Sequence, residues 1–72
     1  MTDNWTRVID NLIEIRHRKS MTQKELADVC ELDRSAITRL ENKKHAPQLD
    51  TLVKITAALG CKITISVIPD DE

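Results

Sequence analysis

Residues 22–42 read TQKELADVCELDRSAITRLEN, and this stretch predicts two short helices joined by a tight turn. Thr22 and Glu25 have the spacing of a capping box. The Thr22 hydroxyl takes the Glu25 amide, and the Glu25 carboxylate returns to the amide of Thr22, so a helix is predicted from Thr22. Leu26, Ala27 and Cys30 then give a short apolar face, with Ala27 small enough to let a second helix approach. Asp33 supplies the next start: its side chain is expected to cap the amides of Ser35 or Ala36, and its charge suits the positive end of the helix dipole. At ~100° per residue, Ile37 and Leu40 share one face of this second helix. Ser35, Thr38 and Arg39 point the opposite way, and Arg34 lies on the flank in the first turn.

A lone helix with such an outward face is simply solvated, but this one follows another at the spacing of a helix-turn-helix. Arg16, the run Thr22-Gln23-x-Glu25-Leu26-Ala27, the pair Ile37 and Leu40, and Glu41-Asn42 together resemble the Cro and phage-repressor type, also called the XRE family, from Arg16 to about Leu59. One departure is visible: the family usually has Gly in the turn where Glu31 stands, and a non-Gly residue with positive φ costs of order 1 kcal/mol. The resemblance implies that the second helix enters the major groove with its N-terminal residues at base edges. Arg34, Ser35, Thr38 and Arg39 are then the candidates for base contact, Arg being matched to guanine O6 and N7 by its fork of donors. It also implies backbone-phosphate contacts from Gln23, Asn42, Lys43 and Lys44. Arg16 falls one turn beyond Leu12, on the side expected to be buried, and the resemblance pairs it with Glu41, tying the first helix to the end of the second helix of the motif.

Seventy-two residues make one domain, and a chain of that size buries only about 60% of its unfolded surface, so help from a second subunit is expected. With no Phe or Tyr and one Trp, the core must be aliphatic. The formal net charge of −1 argues against nucleic acid at first sight, but its distribution reverses that impression. From Arg16 to His45 there are eight Lys/Arg against five Asp/Glu, whereas Asp70, Asp71 and Glu72 make an acidic tail. A basic middle with acidic ends fits one phosphate-facing surface. Cys30 and Cys61 form no CxxC pair and have no His at ligand spacing, so no metal or cofactor is expected and both are read as buried, reduced thiols. The N-terminus is polar and no apolar run approaches ~18 residues, so the reading is cytoplasmic, with no membrane partner.

Upstream, Asp3 or Thr2 is expected to cap a first helix in which Trp5, Val8, Ile9, Leu12 and Ile13 recur at spacings of three and four, leaving Arg7, Asp10 and Glu14 for water. Trp5 is expected in the core or a dimer contact. His17, Arg18 and Lys19 close the helix where cations suit the dipole, and Ser20 stands where Gly would end it more comfortably. Downstream, Glu41 to His45 is read as a loop, with His45 a solvated residue. A further helix runs from Leu49 to Leu59, its inner side covered by Leu49, Leu52, Val53, Ile55, Thr56 and Leu59, and Gly60 ends it. Residues 61–68 then alternate with period two, Cys61, Ile63, Ile65 and Val67 on one face, until Pro69 stops them. That is a strand with no sister strand in the chain, and the expected solution is pairing across a two-fold axis through Ile63, Ile65 and Val67; the alternatives are a strand folded back as a lid on its own subunit, or a dimer made through the third and fourth helices.

The fold expected is mainly α: a single domain, residues 1–72, of four to five helices in the phage-repressor manner, with the helix-turn-helix at 22–42, one C-terminal β-strand at 61–68 pairing across a homodimer, and an acidic tail at 69–72. The function expected is a sequence-specific DNA-binding transcriptional regulator, a repressor on a pseudo-palindromic double-stranded operator. The short domain followed by a single strand is similar to antitoxins of the HipB type, which repress their own operon and bind a toxin. Phage repressors and restriction-modification controllers share the same core. The competing class is a protein-interaction module without DNA binding. An enzyme is not expected, since no Ser/His/Asp arrangement, metal cluster or phosphate-cradling Gly loop is present.

Overall fold

A computed structural model describes residues 4–64 and 67–69. Four helices form: α1, Asn4–Arg18; α2, Gln23–Cys30; α3, Arg34–Glu41; and α4, Leu49–Ala58. Each forms because an apolar stripe at helical spacing can be buried by its neighbours. Ile9 and Leu12 of α1, Leu26, Ala27 and Cys30 of α2, Ile37 and Leu40 of α3, and Ile55 and Leu59 at the end of α4 make one aliphatic core. Trp5, Val8, Met21, Leu32 and Leu52 pack around it. α2 lies between α3 and α4, and α1 closes over α3.

The two helix starts differ. Thr22 is the residue before α2 and not its first turn, and the reciprocal bonds of the capping box are both made: Glu25 N–H to Thr22 Oγ1 at 3.0 Å and Thr22 N–H to Glu25 Oε1 at 2.8 Å. At α3, Asp33 takes the cap position but its side chain caps nothing. Its backbone carbonyl accepts the Ala36 amide at 2.9 Å instead, so the carboxylate acts only as a charge near the dipole. Caps for α1 on Thr2 or Asp3 lie outside the described residues.

Every helix is followed by a residue in the left-handed region: Ser20 at φ 56°, Glu31 at 60°, Lys43 at 59° and Gly60 at 72°. After α4 the Gly60 amide bonds Ala57 O at 3.0 Å and the Cys61 amide bonds Thr56 O at 2.9 Å, an ending that satisfies two of the last carbonyls. The same pair of bonds closes α1, from Ser20 and Met21, and α2, from Glu31 and Leu32. Only one of the four positions carries the residue that adopts this conformation without strain.

Two further expectations need correction. Leu49 and Val53 do not cover the inner side of α4: they are 56% and 47% exposed, because the buried stripe is centred on Ile55, Thr56 and Leu59 and both side chains fall beyond its edge. Cys61 is only half-buried, unlike Cys30. Burial raises the Cys30 thiol pKa, against a smaller opposing pull from Lys54. The expected strand at 61–68 forms no ladder among the described residues. Ile63 is half-buried while Val67 is 93% exposed, so these two do not share a buried face in one chain. Ile65 lies outside the described residues.

Candidate nucleic-acid interface

The α2–α3 pair presents α3 outward, because its apolar stripe is narrow and fully used by Ile37 and Leu40. Arg34, Ser35 and Arg39 are exposed and Thr38 is half-buried. Among the described residues the guanidinium groups of Arg34 and Arg39 make no hydrogen bond or ion pair. Two unpaired guanidiniums therefore flank a small polar face on a rigidly packed helix.

Behind this face lies a polar knot. Arg16 Nε meets Glu41 Oε2 at 2.8 Å and its Nη2 meets Oε1 at 3.0 Å, a two-point contact between side chains only 9% and 10% exposed. Arg16 Nη1 also donates to the Met21 carbonyl at 2.7 Å, and Nη2 stands 3.2 Å from His17 Nε2. Since a guanidinium has no acceptor, that contact uses His17 Nε2 as the acceptor. Gln23 Nε2 donates to Glu41 Oε1 at 2.9 Å, and the Thr38 hydroxyl donates to Gln23 Oε1 at 2.8 Å. Among the described residues no buried side-chain nitrogen or oxygen is left unpaired, which is the condition under which a buried charge pair is tolerated. The knot joins α1, α2 and α3 and fixes the angle at which α3 is displayed.

The structure brings Arg16, Glu41, Gln23 and Thr38 into one network, and places Arg34, Ser35 and Arg39 on the open side of α3. The phosphate candidates are scattered in state. Asn42 and Lys44 are exposed, Gln23 is engaged at both ends of its amide, and Lys43 Nζ is ion-paired with Asp10 of α1. Sequence reasoning missed the Lys43–Asp10 and Gln23–Thr38 contacts, and no local pattern signals them. It also left His45 without a role. With Arg39, Leu40, Pro47, Gln48 and Thr51 it lines an open groove of about 330 Å³ beside α3.

Comparison with known proteins decides the family. A helix-turn-helix family model matches residues 12–65. The chain belongs to this helix-turn-helix family. It is 36% identical, over 62 residues, to an uncharacterized HTH-type transcriptional regulator of Haemophilus influenzae, covering 86% of this chain and 61% of that protein. It is 34% identical, over 53 residues, to the immunity repressor protein of Bacillus phage phi105, covering 74% of this chain and 37% of that one. The chain thus spans under two thirds of the length of these curated relatives. Among solved structures it is similar to a toxin-antitoxin module from Streptococcus pneumoniae, with TM-score 0.73 and 32% identity over 90% of this chain and 71% of the other. No helix among the described residues is long and apolar enough to cross a membrane.

Proposed function

We propose that this helix-turn-helix chain is a sequence-specific DNA-binding transcriptional repressor that acts as a homodimer on a pseudo-palindromic operator. The observation that carries this reading is the outer face of α3, where Arg34 and Arg39 stand unpaired among the described residues beside Ser35 and Thr38 on a helix locked from behind. In the major groove, Arg39 and Arg34 offer forked donors to guanine, while Asn42, Lys44 and Gln23 follow the phosphates. Lys43 joins them by exchanging Asp10 for a phosphate. The relatives named as a regulator and an immunity repressor support the reading. The chemistry is recognition, with no reaction assigned.

The similarity to a toxin-antitoxin module favours a second role, that of the autoregulating antitoxin of a toxin-antitoxin operon, with a toxin protein as partner. Dimer formation is assigned to residues 61–68 through Ile63, Ile65 and Val67. Two copies set antiparallel would give each other the backbone partners that are missing among the described residues of one chain. The two copies of α3 would then lie about one DNA turn, ~34 Å, apart. A dimer through the exposed Leu49 and Val53 of α4 is the competing arrangement.

Footprinting of the DNA upstream of the chain's own gene tests the function. Protection of two half-sites one turn apart is expected, with affinity falling roughly 10³- to 10⁵-fold between 50 and 200 mM salt if ~6 to 10 phosphates are neutralised. A flat salt response would favour an interaction module. Arg39→Ala is expected to relax preference at one operator position, whereas Lys44→Ala should weaken all sequences about equally.

A further inference from the structure

A serine or threonine in a DNA groove ordinarily says little about the base it meets, because its hydroxyl hydrogen rotates to suit either a donor or an acceptor. Thr38 is not free in this way. The Glu41 carboxylate can only accept, so the Gln23 amide must turn its nitrogen toward Glu41, at 2.9 Å, which leaves its oxygen facing Thr38 Oγ1 at 2.8 Å. The other neighbour of that hydroxyl is the Arg34 carbonyl, at 3.2 Å. Both neighbours are acceptors and the hydroxyl has one hydrogen. That hydrogen is spent inside the protein whichever neighbour takes it, and only lone pairs remain for anything arriving from outside.

We infer that Thr38 is a directional specificity residue: it accepts a hydrogen bond from an exocyclic amino group, N4 of cytosine or N6 of adenine, on the DNA strand it faces. Gln23 and Glu41 are positioning residues that hold the hydroxyl in this sense. Arg34 lies one helical turn earlier and has only donors, so neighbouring positions of the helix surface, with Cβ atoms about 5–6 Å apart, carry a donor and an acceptor. Every base pair offers one amino group to the major groove, on cytosine or adenine, so what Thr38 selects is which strand carries it. The inference rests on the DNA-binding reading and deepens it.

The test is selection from duplexes with randomised half-sites, using the full chain and three proteins: wild type, Thr38→Val and Thr38→Ser. Thr38→Val keeps the shape and the methyl group but removes the acceptor, while Thr38→Ser keeps the acceptor and removes the methyl. Wild type and Thr38→Ser are expected to enrich A or C over G or T at one position of the same strand by about two- to ten-fold, and Thr38→Val is expected to lose that preference there alone. Enrichment of G or T at the position that responds to Thr38→Val would overturn the inference, as would a Thr38→Val protein that melts like wild type and selects the same sequences. A wild-type protein that selects no sequence at all would instead overturn the DNA-binding reading beneath it.

Discussion

Around Glu41, side chains from α1, α2 and α3 satisfy one another: Arg16 with two points of contact, Gln23 with one, and Thr38 through Gln23. After Gly60 the chain carries Val67 and Ile68, 93% and 81% exposed, with no ladder among the described residues. The first region is satisfied by its own side chains, whereas Val67 and Ile68 stay open to solvent. Polar groups gathered from distant parts of a chain are stable only when every member is paired, so the knot must be built before α3 can be displayed. An exposed β-branched pair such as Val67 and Ile68 keeps its apolar surface in water. The difference teaches that the two regions handle their surface oppositely: one hides its charges against each other, the other leaves apolar groups open.

Removing one member of the knot should produce the largest effect. Glu41→Ala leaves the Arg16 charge buried and unpaired, at a cost of ~3 to 5 kcal/mol. That is comparable with the whole stability, roughly 4 to 11 kcal/mol, of a domain this size, so circular dichroism should find the variant largely unfolded or melting far below wild type. Glu14 and Arg18 provide the contrast: their bridge is 3.1 Å long but the side chains are 63% and 71% exposed. Glu14→Ala should shift stability by no more than ~0.5 kcal/mol. Similar losses for the two variants would erase the distinction between knot and surface.

Truncation after Gly60 sharpens the other half of the comparison. The core residues all precede that point, so the shortened chain should keep its helical spectrum. Sedimentation should find it monomeric, with operator binding weakened at least about ten-fold because one half-site contact is lost. A dimer of unchanged affinity would move the interface to Leu49 and Val53 on α4.

A smaller effect of the opposite sign is expected at the end of α2. Glu31 adopts φ 60° and ψ 40°, a conformation costing a non-Gly residue ~1 to 2 kcal/mol. Glycine relieves that strain but loses roughly 0.5 to 1 kcal/mol through the greater freedom of its unfolded chain. Glu31→Gly should therefore stabilise by roughly 0 to 1.5 kcal/mol, raising the melting temperature by up to several degrees. A fall would mean that the Glu31 side chain contributes more than the turn geometry costs.

The last effect is chemical. Burial disfavours the Cys30 thiolate, and the thiolate is the form that alkylates. Cys30 should then react with iodoacetamide much more slowly than the half-buried Cys61 at pH 8, and raising the pH should speed it only where the fold itself opens. Mass spectrometry of the singly labelled chain reads this directly, and preferential labelling of Cys30 would place α2 in frequent opening.

By itself the sequence determined what repeats or sits close together. The capping box is two residues three apart, the stripes of α1, α2 and α3 follow helical spacing, and Ser20 occupies a helix end where glycine is the relaxed choice. Such features depend on backbone geometry within a few residues, so they can be read before the fold is known. Tertiary structure decided whatever depends on which faces meet. Leu49 and Val53 belong by spacing to a stripe of α4 that is wider than its neighbours can cover, and the position of α2 leaves them outside. The Asp33 side chain makes no cap hydrogen bond, although its backbone carbonyl accepts the Ala36 amide. Lys43 finds Asp10 thirty-three residues away, and Gln23 finds Glu41 and Thr38 eighteen and fifteen residues away. Alternation in residues 61–68 encodes the capacity to pair, but a strand exists only against another strand, and one copy of this chain contains none among its described residues.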